Sequence, residues 1–319
     1  MDTTQLDPDV RFTLESPGGV HVASYGWGNS LADPKGVVQL AHGMAEHALR
    51  YGYVGRVLNR AGYVFYAHDQ RGHGATDTGK LGYLGDPVDG RSGWDLMVHD
   101  IGLMNQHIGQ VHPGLPRVLI GHSLGSLLSQ AYVALHGDTL TGLVLSAATG
   151  AGGIGVPTGQ ILSRIERKRI GDRGVSPLIQ LATFGGFNWF FFPNRTAFDW
   201  LSRDPVEVDK YIADPLCGFP FTTEAWRNVF DGMDWIAKRE NRERVPKDLP
   251  ILLLGGSRDQ VTGRSRSVRK VADAYVQAGV RNVECRIYDG ARHELFKETN
   301  RDEIIGDVVD WLARTLPGA

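Results

Sequence analysis

A serine with glycines two residues to either side, Gly121-His122-Ser123-Leu124-Gly125, is the clearest chemical signal in the chain. The apolar run Val118-Leu119-Ile120 leads into it, and a helical pattern over residues 127–135 leads out. At such a strand-to-helix turn the serine sits in strained backbone that lifts its hydroxyl above the sheet. A Cβ at either glycine would crowd so tight a turn. The helix N-terminus below it favours negative charge developing at a reacting carbonyl. Ser123 is therefore expected to be a nucleophile in acyl transfer.

A free hydroxyl is a poor nucleophile, so a base must lie within hydrogen-bond reach and a third group must orient that base. Two late apolar runs end in suitable residues. Ile251-Leu252-Leu253-Leu254 is followed by Gly255-Gly256-Ser257-Arg258-Asp259, and Arg286-Ile287-Tyr288 by Asp289-Gly290-Ala291-Arg292-His293-Glu294. Of the eleven histidines only His293 follows the last such run. The order Ser123, Asp259, His293 then gives nucleophile, acid and base. Asp289 and Glu294 are rival acids, but both lie too near His293 in sequence to approach its far nitrogen easily. The oxyanion needs two backbone donors. The residue after the nucleophile, Leu124, supplies one, and Met44 in His42-Gly43-Met44-Ala45-Glu46-His47 is the candidate for the other. Gly43 lets backbone approach the substrate there, and His122 is expected beside it.

Other patterns compete less well. His42 and His47 are five apart with a glycine between, not the i, i+4 pair of a zinc-binding helix, so no metal is expected. Asp69-Gln70-Arg71-Gly72-His73-Gly74 reads as a tight loop locked by an Asp–Arg pair rather than a phosphate cradle. Gly150-Ala151-Gly152-Gly153-Ile154-Gly155 matches a dinucleotide fingerprint, yet no second strand follows to carry the required acid. It reads as a flexible entry to an insertion, and no cofactor is expected.

The elements that must position these groups follow from periodicity. Residues 10–25 alternate around Ser16-Pro17-Gly18-Gly19, as a hairpin does. Apolar runs at residues 36–41, 63–67, 117–120, 142–146, 251–254 and 283–288 are continuous rather than alternating, which marks strands covered on both faces. Strand–helix alternation then predicts an α/β fold, a mostly parallel sheet flanked by helices. The alternation fails between residues 150 and 223. That stretch is expected to be a helical cap between two parts of one core, 1–149 and 224–319. Its aromatic group, including Phe187, Trp189, Phe190, Phe191, Phe192, Phe198 and Trp200, cannot all face inward on a helix. Phe187, Trp189 and Phe190 are the candidates for contact with substrate, and the group leaves peripheral membrane contact open.

With these pieces assembled, the chain resembles the monoacylglycerol lipase and lysophospholipase branch of the α/β-hydrolases, also called serine aminopeptidase-like hydrolases. The resemblance rests on residues 42–47, 69–74, 121–125, 256–259 and 290–294, with Asp214-Pro215-Leu216-Cys217-Gly218-Phe219 near the end of the cap. It implies an α/β-hydrolase fold, the triad Ser123, Asp259 and His293, and oxyanion donors Met44 and Leu124. Two departures stand out: a longer, more glycine-rich cap, and Ser126 where many relatives carry glycine.

Composition bounds the rest. The 319 residues are 42% hydrophobic and 22% charged with a net charge of −2, so a nucleic-acid partner has no electrostatic basis. The basic run at residues 164–173 is broken by two acids and reads as a solvated helix face. The two cysteines, Cys217 and Cys285, make no disulfide framework. Residues 1–7 lack a secretory pattern and no run approaches the roughly 20 apolar residues of a membrane span. A cytoplasmic location is expected. The expected substrate is a small ester, lipid-like given the aromatic cap. A short-chain carboxylesterase is a rival, as is an aminopeptidase with Glu207, Asp209 or Glu224 holding the substrate amine. A non-catalytic binding protein on the same scaffold is the rival from another class. Oligomeric state is not encoded in any feature above.

Overall fold

In a computed structural model, residues 6–150, 152 and 155–316 are described. Ala151, Gly153 and Ile154 of the glycine cluster, and the N-terminal residues 1–5, lie outside them.

Eight strands form one sheet: β1 (Val10–Ser16), β2 (Val20–Trp27), β3 (Gly36–Ala41), β4 (Tyr63–His68), β5 (Arg117–His122), β6 (Gly142–Ser146), β7 (Ile251–Gly256) and β8 (Val283–Tyr288). Their order across the sheet is β1-β2-β4-β3-β5-β6-β7-β8. The hairpin β1–β2 and the β2–β4 pair are antiparallel, and every later pair is parallel. The fold is that of an α/β-hydrolase.

Ten α-helices lie in the described chain besides short 3-10 turns: α1 (Gly52–Arg60), α2 (Gly93–Val111), α3 (Leu124–His136), α4 (Gly155–Ile170), α5 (Pro177–Phe184), α6 (Pro205–Ala213), α7 (Thr223–Ala237), α8 (Arg239–Arg242), α9 (Arg266–Gln277) and α10 (Arg301–Thr315). Among the described residues no helix is long and apolar enough to cross a membrane.

The continuous apolar runs have the expected cause. Strands β3, β4, β6 and β7 are buried along their whole length. Successive side chains feed opposite layers. Leu119, Leu143, Leu145 and Leu253 pack with α2 and α3, whereas Val118, Ile120, Val144 and Leu252 pack with α1 and α10. Each such side chain taken from water contributes on the order of 1.5–3 kcal/mol.

Strand order reverses direction between β3 and β5, and ligands of open α/β sheets bind at such a switch point, beyond the strands' carboxyl ends. Register brings the relevant loops together. Ala41 pairs with Gly121, so the loop after β3 abuts the serine turn. Gly256 pairs with Tyr288, so the loops after β7 and β8 emerge side by side.

One sequence expectation is corrected. Arg71 does not pair with Asp69; it reaches Asp100 on α2 (Nε to Oδ2, 2.8 Å). Asp69 instead accepts from Tyr25 Oη and from the backbone N–H groups of Ala48 and Ala75. The loop is thus tied by a helix carboxylate distant in sequence, which local spacing does not reveal.

Candidate active site

Ser123 stands between β5 and α3 with φ 50° and ψ −113°, a positive φ for a residue with a side chain. The backbone tolerates this because its neighbours hold it. Ser123 N–H donates to Ser146 O (3.0 Å), and Ser126 N–H donates back to Ser123 O (2.9 Å). A Cβ at Gly121 would press on Gly125 O, and one at Gly125 on Ala41 O, which is why both positions lack one.

The loops after β7 and β8 bring two more groups to this turn. His293 Nε2 lies 3.0 Å from Ser123 Oγ, and His293 Nδ1 lies 3.1 Å from both carboxylate oxygens of Asp259. Asp259 also accepts from Thr262 Oγ1 and Val261 N–H, each at 2.9 Å. An acceptor at Nδ1 fixes the proton there and leaves Nε2 to accept from the serine. Burial pushes the Asp259 carboxyl up, but His293 and these hydrogen bonds outweigh it and hold it below its ordinary value. Burial likewise pushes His293 down; the charge and hydrogen bond of Asp259, helped by Glu294 and Glu46, outweigh that, and its pKa lies above the ordinary 6.5. His122 is the opposite case. Burial, with His293 beside it, pushes it down to about 4, so its ring is neutral near Ser146 Oγ (3.2 Å).

The loop after β3 closes the other side. Gly43 N–H donates to Glu46 Oε1 (2.6 Å) and is thereby occupied. Met44, next in this loop, lines the same cavity as Ser123. Leu124 is the first residue of α3, and its N–H has no acceptor within the helix.

A cavity of about 1110 Å³ opens from Ser123 and His293. Met44, Leu127, Leu162, Phe184, Trp226 and Phe230 contribute to its apolar wall. Of the expected substrate contacts, Gly43, His122 and Phe187 line it. Trp189 and Phe190 lie outside its wall, 77% and 53% exposed. The segment Phe187–Phe191 is a tight 3-10 turn, so neighbouring rings splay apart. Phe187 packs on Trp200 and Phe191 joins the apolar cluster around it, while Trp189, Phe190 and Phe192 face solvent.

The carboxylates proposed for an amine site lie elsewhere. Glu207 pairs with Lys210 and Arg301, and Asp209 with Arg195. Glu224 is buried at the start of α7, where burial pushes it up to about 7.

Spacing along the chain did not anticipate two groupings. His47, Asp214 and Cys217 bring their ligand atoms within 4.8 Å of one another, the one such cluster among the described residues. His47 Nε2 is hydrogen-bonded to Asp214 Oδ2 (2.8 Å), and burial pushes the Cys217 thiol up. The second is an ion network of Glu46, Arg50 and Glu294 behind His293. The i, i+4 spacing of Glu46 and Arg50 was its available signal.

Known proteins share this arrangement of elements. The family model for serine aminopeptidase, S33, matches residues 32–300. A monoacylglycerol lipase of Mycolicibacterium smegmatis is 28% identical over 307 residues, covering 94% of this chain and 95% of its own. A monoglyceride lipase of Homo sapiens is 27% identical over 272 residues, 83% of this chain and 77% of its own. The crystal structure of a thermostable carboxyl esterase from Bacillus coagulans, in complex with glycerol, superimposes with a TM-score of 0.88 at 27% identity, covering 97% of this chain and 99% of that one.

Proposed function

Because this chain belongs to the serine aminopeptidase S33 family of α/β-hydrolases, we propose that it cleaves carboxylic esters of monoacylglycerol- or lysophospholipid-like lipids through an acyl-enzyme. The observation that carries the reading is the hydrogen-bonded line from Ser123 Oγ through His293 to Asp259, opening into a large apolar cavity. His293 Nε2 takes the Ser123 proton as Oγ attacks the ester carbonyl carbon. The N–H groups of Met44 and Leu124 hold the oxyanion. Collapse expels the alcohol, which receives the proton from His293. Water, deprotonated by the same nitrogen, then attacks the acyl-enzyme, and collapse releases the acid as His293 returns the proton to Ser123 Oγ.

We read residues 150–223 as a cap over a core formed by 1–149 and 224–319. Its outward rings, with exposed Ile161, Ile165 and Leu178, make a surface suited to peripheral contact with a lipid interface. Names of relatives support the substrate class: monoacylglycerol and monoglyceride lipases recur among them. The aminopeptidase reading is weaker, since each carboxylate suggested for the amine is paired or lies off the cavity wall.

The test is fatty-acid release from a long-chain monoacylglycerol by the wild type and by Ser123→Ala. Release lost in the variant supports the reading. Short-chain esters cleaved without long-chain release would make the protein a general carboxylesterase, and equal release by both would remove Ser123 from the chemistry.

A further inference from the structure

Behind the base lies a set of charges that the acyl-transfer steps do not use. Arg50 Nη1 sits 2.5 Å from Glu46 Oε2 and 2.6 Å from Glu294 Oε1, and its Nη2 sits 2.8 Å from Glu294 Oε2. All three side chains are buried or nearly so, at 9%, 2% and 7% exposed. The guanidinium also lies 4.9 Å from the ring centre of Tyr211, whose hydroxyl donates to Ala45 O (3.1 Å).

Each carboxylate is tied to a catalytic loop. Glu46 accepts the Gly43 N–H (2.6 Å) and so fixes the His42–Gly43 peptide, one peptide before the Met44 N–H. Glu294 follows His293 directly in the chain. We propose that Arg50 is a positioning residue that locks the oxyanion loop to the base loop, holding the Met44 N–H and the His293 ring in one fixed relation. The inference rests on the proposed serine-hydrolase reading. A planar fork that bonds two carboxylates at once suits this task, and a lysine ammonium cannot reproduce it.

The network also sets the charge around the base. His293 is faced by Asp259 from the loop after β7, by Glu46 from the loop after β3, and by Glu294 from its own loop. His122 lies against it from the serine turn (ring centres 5.1 Å), and the Trp200 ring covers it at 5.4 Å. Arg50 is the counter-charge to Glu46 and Glu294. Lys297 donates to Arg50 O, and burial, with Arg50 nearby, pushes it down to about 8.

The experiment measures kcat, KM and the pH profile on a soluble ester for Arg50→Met, Arg50→Lys, Glu46→Gln, Glu294→Gln and the double glutamine variant. Rates are normalised to sites titrated by a fluorophosphonate, so loss of folded protein does not count. Arg50→Met is expected to lower kcat on the order of 10²-fold with KM little changed, as loss of alignment does. Its acid limb moves to higher pH, because two carboxylates lose their counter-charge. Arg50→Lys restores the limb but not kcat. Glu294→Gln moves the limb to lower pH. The two glutamine changes are expected to be non-additive in kcat, since both act through one guanidinium. Should Arg50→Met not fold, that cycle decides. Wild-type kcat and acid limb per titrated site, or strictly additive glutamine effects, overturn the proposal. Undiminished turnover by Ser123→Ala, by contrast, overturns the serine reading itself.

Discussion

The guanidinium of Arg292 lies 4.2 Å from the ring centre of Phe191, so the residue preceding His293 packs on the aromatic segment at residues 187–192. Arg258, which precedes the acid, faces the same ring at 6.0 Å. The loops that carry Asp259 and His293 therefore both touch the aromatic segment at residues 187–192. A desolvated cation–π contact is worth about 0.5–2 kcal/mol. Phe191→Ala is expected to loosen residues 187–192, raising the rate of limited proteolysis there up to about tenfold, while Phe191→Trp retains wild-type resistance. Equal rates for all three proteins would mean that the contact holds nothing closed.

Asp259 makes its own prediction. Its carboxylate fixes the His293 tautomer by accepting at Nδ1. An amide in its place can donate to Nδ1 and leave the proton on Nε2, where it blocks the serine. Asp259→Asn is expected to lower kcat by about 10³–10⁴-fold with the fold retained by circular dichroism. A loss below about tenfold would mean that another group orients the imidazole.

The pH dependence follows from the direction of the His293 shift. General-base action requires the neutral ring, and the surrounding carboxylates favour the charged one. With the pKa above 6.5, the charged form persists to higher pH, and kcat/KM rises as pH climbs through it. The midpoint of the acid limb is expected above 6.5. A midpoint near 4 would point instead to a group in the environment of His122.

The fold was legible because both faces of its central strands are covered, which writes continuous apolar runs such as Ile251 to Leu254 into the sequence. Spacing nominated Ser123, Asp259 and His293, and strand register explains why loops so far apart in the chain converge. The contacts of the aromatic segment at residues 187–192 were not legible. Residues 187–192 form a turn in which adjacent rings diverge, so no helical or strand period assigns Phe187 to the cavity and Trp189 to the surface. The ion network was hidden for a different reason: Arg50 and Glu294 lie 244 residues apart, and nothing local pairs them.

The outward rings carry a prediction about lipid interfaces. Trp189 and Phe192 are 77% and 85% exposed, and burying each in an interface contributes on the order of 1.5–3 kcal/mol. Replacing both with serine is expected to weaken sedimentation with monoacylglycerol-containing vesicles more than tenfold. Activity on vesicles should fall relative to activity on a dissolved ester. If vesicle binding is unchanged, the exposed rings serve another contact.

Arg71 tests whether stability and chemistry separate in this fold. Its side chain and that of Asp100 are each 1% exposed, and the pair joins the loop after β4 to α2. Arg71 Nη2 also donates to Ser16 Oγ (2.6 Å) and Pro17 O (2.9 Å), which ties in the turn between β1 and β2. Removing one member of a buried pair leaves the other charge uncompensated and costs about 3–5 kcal/mol. Arg71→Met is therefore expected to lower Tm by roughly 6–20 °C, at about 2–4 °C per kcal/mol for a large domain. Replacing both members, Arg71→Met with Asp100→Leu, should recover much of that loss, because neither charge is then stranded. Neither side chain lines the cavity, so kcat per titrated site should stay at the wild-type value at temperatures well below the transition. A fall in kcat without a fall in Tm would move this pair from the scaffold to the site.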